Sequence, residues 1–405
     1  MNSSWVILTV LLAYVCFKLY TPVPDAIEEK LKFRAFVALP RIFRFVGSVI
    51  GLFNGKNSLQ NMQELSAFLP RPPFDVEGSN IRSEVVTFDG VRVLLYEPIN
   101  RKGRGAVGGL MFYHGGGYML GSPETHDGLT RQIAEELDVV VASVEYRLAT
   151  EQAFPAAHED CMTALRYFLN HAADFGVDPS RIGVAGDSAG GHLAAAVAQE
   201  ATDDASLPRL RLQVLLYPLL QLLDLNTPSY QQYRSDFGPN GGVVPRNIAG
   251  VFRSFLLFGR QDDAFVEAMM ANNHTSLAFK KSNPHIYNHE LVPKSLKQHA
   301  SYKGPVVDTG NDELWSKHKY LFLDPRTSPG WRGDLSGMPQ AYIMSCQYDG
   351  LRDDAVMYAA RLEQAGVKVQ LTNRYNGWHG MLNAQTFNVA QRALKHLIVY
   401  LKENL

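Results

Sequence analysis

Residues 181–191, RIGVAGDSAGG, restrict the fold of this chain more than any other stretch. A short apolar strand stops at Gly186, turns through Asp187, Ser188 and Ala189, and enters a helix near Gly190. A serine with glycine two positions to either side, G-x-S-x-G, fits a strand-to-helix corner too sharp for side chains at the flanking positions. Such a corner lifts the Ser188 hydroxyl above the sheet, where a nucleophile belongs. The helix that follows, HLAAAVAQE, aims its free N–H groups and the positive end of its dipole at the same spot, favouring negative charge that develops there. Alone, the pattern also suits an ordinary Gly-rich turn, so the rest of the chain must decide.

The rest alternates. EVVTFDGVRVLLYEP, within 81–98, reads as an antiparallel hairpin turning at Asp89-Gly90. Short apolar strands follow at 108–113, 139–147, the elbow itself, 211–220, 339–349 and 367–375. Helical periodicity separates them at 130–137, 156–173 and 351–366, and a helix within 385–405 closes the chain. Buried strands alternating with amphipathic helices predict an α/β fold, a mostly parallel sheet with helices on both faces. Across 222–337 the rhythm breaks, with helical patterning only at VFRSFLLFG and AFVEAMMAN, so this segment reads as an insertion. There is no internal repeat.

At 405 residues with 46% hydrophobic content, the chain suffices for one large domain, and a net charge of −1 gives no footprint for nucleic acid. Three cysteines make no disulfide framework; Cys16 lies in an apolar run, leaving Cys161 and Cys346 as the candidate pair.

Residues 5–17, WVILTVLLAYVCF, read as a membrane segment. About sixteen helical residues reach roughly 24 Å, which spans a thin bilayer once Lys18 snorkels. A cleaved signal peptide is the competing reading, but no basic stretch precedes the run and no A-x-A site follows it. Lys30, Arg34, Arg41 and Arg44 then recur among apolar residues over 30–53, a basic amphipathic pattern interrupted at Pro40. It fits either a helix in the bilayer interface or a cap helix packed on the globular domain. Basic residues C-terminal to the apolar run would keep that side cytosolic by the positive-inside rule, whereas the sequon at Asn273 is usable only in the lumen. The expected organisation is a signal anchor over 1–20, a membrane-proximal cap region over 21–80, and a catalytic domain over 81–405 carrying the insertion at 222–337.

Ligands of such sheets bind beyond the carboxyl ends of the parallel strands. Ser188, Asp349 and His379 each follow a strand there, in the chain order Ser, Asp, His. His379 would take the proton of Ser188 as it attacks a carbonyl carbon, and Asp349 would hold the imidazole tautomer and stabilise the cation. Asp353 and Asp354 lie on the next helix and are assigned structural roles. His114-Gly115-Gly116-Gly117-Tyr118 follows the strand at 108–113, and consecutive glycines there can direct backbone amides at one point. Gly115, Gly116 and Gly117, with the Ala189 amide, are therefore the expected oxyanion donors, and His114 a loop-fixing hydrogen bonder. A phosphate-binding Gly loop is the other reading, but the G-x-x-x-x-G-K spacing is missing. No histidine makes H-x-x-x-H zinc spacing with a Glu, so neither metal nor cofactor is expected.

HGGGY, EYRLATEQAFPAAHED, GDSAGG with its Asp187, YDGLRDD and WHGM, in this order, resemble the hormone-sensitive-lipase branch of the α/β-hydrolases, and within it the arylacetamide deacetylase-like proteins. The resemblance implies an α/β-hydrolase fold with a cap built from the N-terminal helices and the insertion. It also implies a single-pass type II protein of the endoplasmic reticulum membrane whose lumenal domain hydrolyses lipophilic carboxylic esters, with arylacetamides and acylglycerols as candidates, through an acyl-enzyme. Thr150 stands where relatives carry proline, and Met119 where some carry a cysteine able to pair with Cys346. A catalytically idle hydrolase-fold protein that binds hydrophobic ligands or partners is the alternative function.

Overall fold

The computed structural model describes residues 20–56, 58, 61, 64, 76, 78–99, 105–238 and 241–405. The apolar run at 5–17 lies outside them. Eight strands form one sheet: β1 (Ile81–Phe88), β2 (Val91–Pro98), β3 (Val107–Tyr113), β4 (Val140–Val144), β5 (Val177–Asp187), β6 (Leu212–Leu216), β7 (Gln340–Tyr348) and β8 (Val369–Trp378). Their order is β1-β2-β4-β3-β5-β6-β7-β8; β2 runs antiparallel to β1 and β4, and all other pairings are parallel. The β1–β2 hairpin turns at Asp89 and Gly90, at φ of 45° and 88°, the positive-φ pair that a two-residue turn requires to match strand twist.

The helices are α1 (Lys30–Asn54), α2 (Asp127–Leu137), α3 (Ala156–Asn170), α4 (Ala189–Asp203), α5 (Pro228–Phe237), α6 (Arg246–Phe258), α7 (Asp263–Met270), α8 (Leu277–Ser282), α9 (Pro284–Tyr287), α10 (Asp312–Phe322), α11 (Arg352–Gln364) and α12 (Asn388–Asn404). Because strand side chains alternate, β3 sends Met111 and Tyr113 to one face of the sheet and Leu110 and Phe112 to the other. The first face is covered by α3, α4, α11 and most of the insertion helices, the second by α1, α2, α5 and α12. Burial on both sides explains why the central strands are continuous apolar runs. Cys161 and Cys346 are buried free thiols on opposite faces of the sheet, so the candidate pair does not form.

The insertion holds more helix than its patterning predicts. Beyond α6 and α7 it contains α5, opened by Pro228 at the first turn, and α10, whose N-cap Asn311 accepts from the Leu314 amide at 2.9 Å. Both show the start signals of a helix, but their polar composition hid the period. α1 also departs from expectation, running unbroken through Pro40. Pro40 is exposed and the carbonyl it leaves without a helical donor belongs to half-buried Phe36, so the helix continues with that one bond missing.

By length and composition α1 is apolar enough to cross a membrane, but Phe33 and Val37 are buried against the domain, while Gly47 is covered by Ser58 and Asn61. Phe33 meets Trp378 edge-on at 5.0 Å and stacks on Phe237 at 6.0 Å. The other side of α1 exposes Leu39, Ile42, Phe45, Val46, Val49, Leu52 and Phe53. Phe33→Ala should cost about 3–5 kcal/mol of unfolding free energy, whereas Phe53→Ala, 87% exposed, should change it by less than about 0.5 kcal/mol. Denaturant titration of the two variants checks this, and equal effects would mean that α1 does not dock as described.

Candidate active site

The strand order brings the carboxyl ends of β3, β5, β7 and β8 to one edge of the sheet, and each is followed by a residue singled out in the sequence. At the end of β5 the chain turns at Ser188 with φ 56° and ψ −116°, a strained conformation for any residue other than glycine. A Cβ on Gly190 would lie 1.9 Å from the Tyr113 carbonyl oxygen, and one on Gly186 2.2 Å from the oxygen of Gly190. The two glycines are what let β3, β5 and α4 close on each other. Ser188 and Leu216, on β6, are tied by an amide-to-carbonyl bond of 2.9 Å.

The Ser188 hydroxyl lies 2.8 Å from His379 Nε2, and His379 Nδ1 lies 2.8 Å from Asp349 Oδ2. The other oxygen of Asp349 accepts the Leu351 amide at 2.9 Å. Both Asp349 and His379 are buried. Burial works against a charged imidazole, but the charge and hydrogen bond of Asp349, with Asp187 behind them, outweigh it and raise the His379 pKa above its ordinary 6.5. Asp353 and Asp354 point elsewhere: Asp353 pairs with Arg352 and accepts the Ser229 amide, and Asp354 accepts from the Leu220 amide and the Gln221 side chain.

After β3, Gly116 and Gly117 take φ of 125° and 63°; a Cβ on Gly116 would sit 2.0 Å from the Leu120 carbonyl oxygen. Of the expected donors, the Gly115 amide is already committed, donating to Asp187 Oδ1 at 2.8 Å. No partner within the protein engages the amides of Gly116, Gly117 and Ala189 among the described residues. His114 is fully buried, its Nδ1 2.8 Å from the Gly115 carbonyl and its ring stacked on Tyr146 at 4.3 Å, while the Tyr146 hydroxyl donates to the His114 carbonyl at 2.6 Å. Burial, aided by the neighbouring His126, pushes the His114 pKa down to about 3, so the ring is neutral.

Asp187 carries more than its motif suggested. Besides Gly115 it accepts Asn383 Nδ2 at 2.9 Å and lies 3.2 Å from His126 Nε2. Burial alone would raise its pKa, but His126 and these hydrogen bonds hold it below 3.8. His126 and Asn383 carry no signal in the sequence, since each is a lone polar residue at the end of a short 3-10 turn whose role is set by a partner far along the chain. Asn273 is half-buried, and the Thr275 hydroxyl of its sequon is fully buried, accepting from Tyr287 at 3.1 Å. Ser188, Asp349, His379, Gly117 and Ala189 share the wall of one cavity of about 350 Å³.

A profile of the family described as alpha/beta hydrolase fold matches residues 110–284 and 288–383. The chain belongs to the α/β-hydrolase family. It is 36% identical to neutral cholesterol ester hydrolase 1 of Mus musculus over 421 residues, covering all of both chains. It is also 37% identical to arylacetamide deacetylase of Oryctolagus cuniculus over 413 residues, covering 98% of this chain and 99% of that one. The similarity to arylacetamide deacetylases therefore extends over the N-terminal region as well as the hydrolase domain. Among solved structures, a bacterial heroin esterase superposes with a TM-score of 0.61 at 28% identity, covering 86% of this chain and 92% of that one.

Within this hydrolase fold, Asp187→Asn should lower stability at pH 7 by about 1–3 kcal/mol, because Gly115, His126 and Asn383 are left with a poorer partner. A depressed folded-state pKa contributes stability that is present above the ordinary carboxylate value and lost as pH falls through the folded one. The gap between the variant and the parent should therefore narrow below pH 3.8. Urea unfolding across pH reads it, and a constant gap would show that the charge contributes nothing.

Proposed function

We propose that Ser188, His379 and Asp349 form a nucleophile, general base and orienting carboxylate that cleave carboxylic esters through an acyl-enzyme. The observation that carries this reading is the pair of 2.8 Å contacts running from Ser188 through His379 to Asp349 beside a cluster of uncommitted amides. The protein is a carboxylic ester hydrolase. As Ser188 Oγ attacks the carbonyl carbon, its proton passes to His379 Nε2, and the oxyanion of the tetrahedral intermediate is met by the amides of Gly116, Gly117 and Ala189. His379 then delivers the proton to the departing alcohol, and water repeats the sequence on the acyl-enzyme. Gly115 supports this cradle indirectly, through Asp187. Relatives and a structure named ester hydrolase, deacetylase and esterase support the substrate class, and aromatic and aliphatic walls contributed by Tyr230, Tyr233, Phe252 and Met270 suit a lipophilic acyl chain.

Residues 81–405 form the catalytic domain in this reading, with α1 and the insertion at 222–337 as its cap. The segment at 5–17 anchors the protein in a membrane, and the exposed apolar stripe of α1 lies along the bilayer surface, since its inner side is engaged with Phe237 and Trp378. Localisation to the endoplasmic reticulum with the domain in the lumen, and a glycan at Asn273, complete the proposal.

Ser188→Ala should abolish labelling by a serine-reactive fluorophosphonate and reduce turnover of acyl esters on the order of 10⁴-fold or more. Labelling that persists in this variant would remove Ser188 from the role, and an unaltered protein that binds esters without turnover would favour the idle-binder alternative. Because His379 must be neutral to accept the proton and its pKa is raised, kcat/KM should climb with pH through a limb above 6.5. A limb below that value would contradict the assigned electrostatics. For location, the full chain should resist alkaline carbonate extraction from membranes and carry an endoglycosidase-sensitive glycan; release into the soluble fraction would dismiss the anchor, and protease access from the cytosolic side would dismiss the lumenal orientation.

A further inference from the structure

The cavity that holds Ser188 is also lined by three arginines, Arg234 from α5 and Arg246 and Arg253 from α6. Arg234 is exposed at the cavity's edge and Arg246 is half-buried, and the hydrogen bonds of Arg246 and Arg253 run to neutral atoms. Arg253, only 1% exposed, donates from Nη1 to the Ala249 carbonyl at 3.0 Å and from Nη2 to the Tyr230 hydroxyl at 2.6 Å. Arg246 donates from Nη2 to the Leu225 carbonyl at 3.1 Å. The Nε groups of both are buried with no partner among the described residues, as is the hydroxyl of Tyr118 on the same cavity wall.

A buried guanidinium is ordinarily matched by a carboxylate, because leaving it uncompensated is costly. Here the neighbouring carboxylates are engaged elsewhere. Asp349 is bonded to His379 and the Leu351 amide, and Asp354 to Gln221 and the Leu220 amide. Asp354 is also pushed up to about 7 by burial, so at neutral pH it is only partly ionised. Burial lowers the Arg246 pKa, and Arg234 and Arg253 lower it further against the opposing pull of Tyr230 and Asp224, an aspartate whose oxygens are themselves engaged by His289 and Asn272. One wall of the cavity thus carries guanidinium groups without an ion-pair partner and two Nε donors that no group satisfies among the described residues.

We propose that the site takes esters bearing an anionic group, a carboxylate or a phosphate, which docks on Arg253 and Arg246 while the scissile carbonyl lies against Ser188. The inference rests on the hydrolase reading above. Guanidinium is suited to the task, since its planar N–H groups meet carboxylate or phosphate oxygens two at a time, and the lipophilic part of the substrate would lie on Leu219, Phe252 and Met270.

Two matched pairs test it with the full chain. With the charge on the acyl side, mono-p-nitrophenyl adipate is compared with p-nitrophenyl heptanoate; with the charge on the alcohol side, a monoacylglycerol phosphate is compared with the monoacylglycerol. The anionic member should be preferred at least about tenfold in kcat/KM in one pair, and which pair shows it identifies where the anion sits. In Arg253→Gln and Arg246→Gln the ratio within that pair should fall toward one; taking the ratio cancels any general loss of activity. A ratio near one in both pairs, or one that the variants leave unmoved, overturns the proposal. Should the variants fail to label with fluorophosphonate, the unaltered protein decides. Octanoate should inhibit neutral ester hydrolysis at least about tenfold better than octanol, and equal inhibition overturns the anion site. If no substrate turns over and Ser188 does not label, the hydrolase reading itself fails and the anion site falls with it.

Discussion

The site depends on one buried carboxylate that does no chemistry in the proposed mechanism. Asp187 ends β5, adjoins Ser188, and holds three segments together by accepting from the Gly115 amide, Asn383 and His126. These belong to the loop after β3, the segment after His379 and the turn before α2. A charged group at 2% exposure is tolerated only when its oxygens are well satisfied, so wherever Asp187 stays buried and ionised, those segments must converge on it. The glycine approach at the elbow supplies the repulsive half of the same constraint. With the Gly190 backbone against Tyr113, no side chain fits between β3 and α4, and the Gly116–Gly117 turn is fixed in position relative to Ser188.

Electrostatics follow from this arrangement. His379 faces Asp349 directly, and its pKa is further raised by Asp187 and lowered by Arg253. The same ring is covered edge-on by Tyr217 at 5.3 Å, which excludes water and keeps those charges effective. His114, whose charged form Asp187 also favours, is kept neutral by its own burial. Two histidines that feel the charge of Asp187 are thus driven in opposite directions, and of these two only His379, bonded to Asp349, is suited to carry a proton during a reaction.

Much of this was legible in the sequence, and for a physical reason. The centre of the sheet is buried on both faces, so β3, β5, β6 and β7 are apolar runs that stand out from their surroundings. The edge strand β8, by contrast, is half-exposed and mixed in composition and was placed by its β-rich stretch after a helix. The elbow glycines were legible because steric contact leaves no alternative residue. What was not legible depends on partners remote along the chain. Gly115 looked equivalent to Gly116 and Gly117, yet its amide is spent on Asp187. His126, Asn383 and the arginine wall carry no local signature. In the insertion, α5 and α10 were missed because their buried apolar side chains give no clear helical period, α5 burying Ser229 and Gln232 alongside Tyr230, Tyr233 and Phe237, and α10 burying only Leu321 and Phe322 at its end. The break expected at Pro40 failed because an interior proline removes only one bond of the helical ladder, and the rest of α1 continues on either side of it.

The docking of α1 connects the two ends of the molecule. Phe33 lies against Trp378, the residue immediately before His379, and Trp378 in turn meets Phe387 at 4.9 Å, the residue that opens α12. Phe33 also reaches Phe237 at the end of α5, and the Arg41 guanidinium lies 3.5 Å from the Gly242 carbonyl in the segment that leads from α5 to α6. A single helix therefore bears on the segment carrying His379 and on the segment that forms the cavity wall with Arg234 and Arg246. Since close-packed side chains transmit displacement with little slack, any force that moves α1 relative to the domain is felt at both.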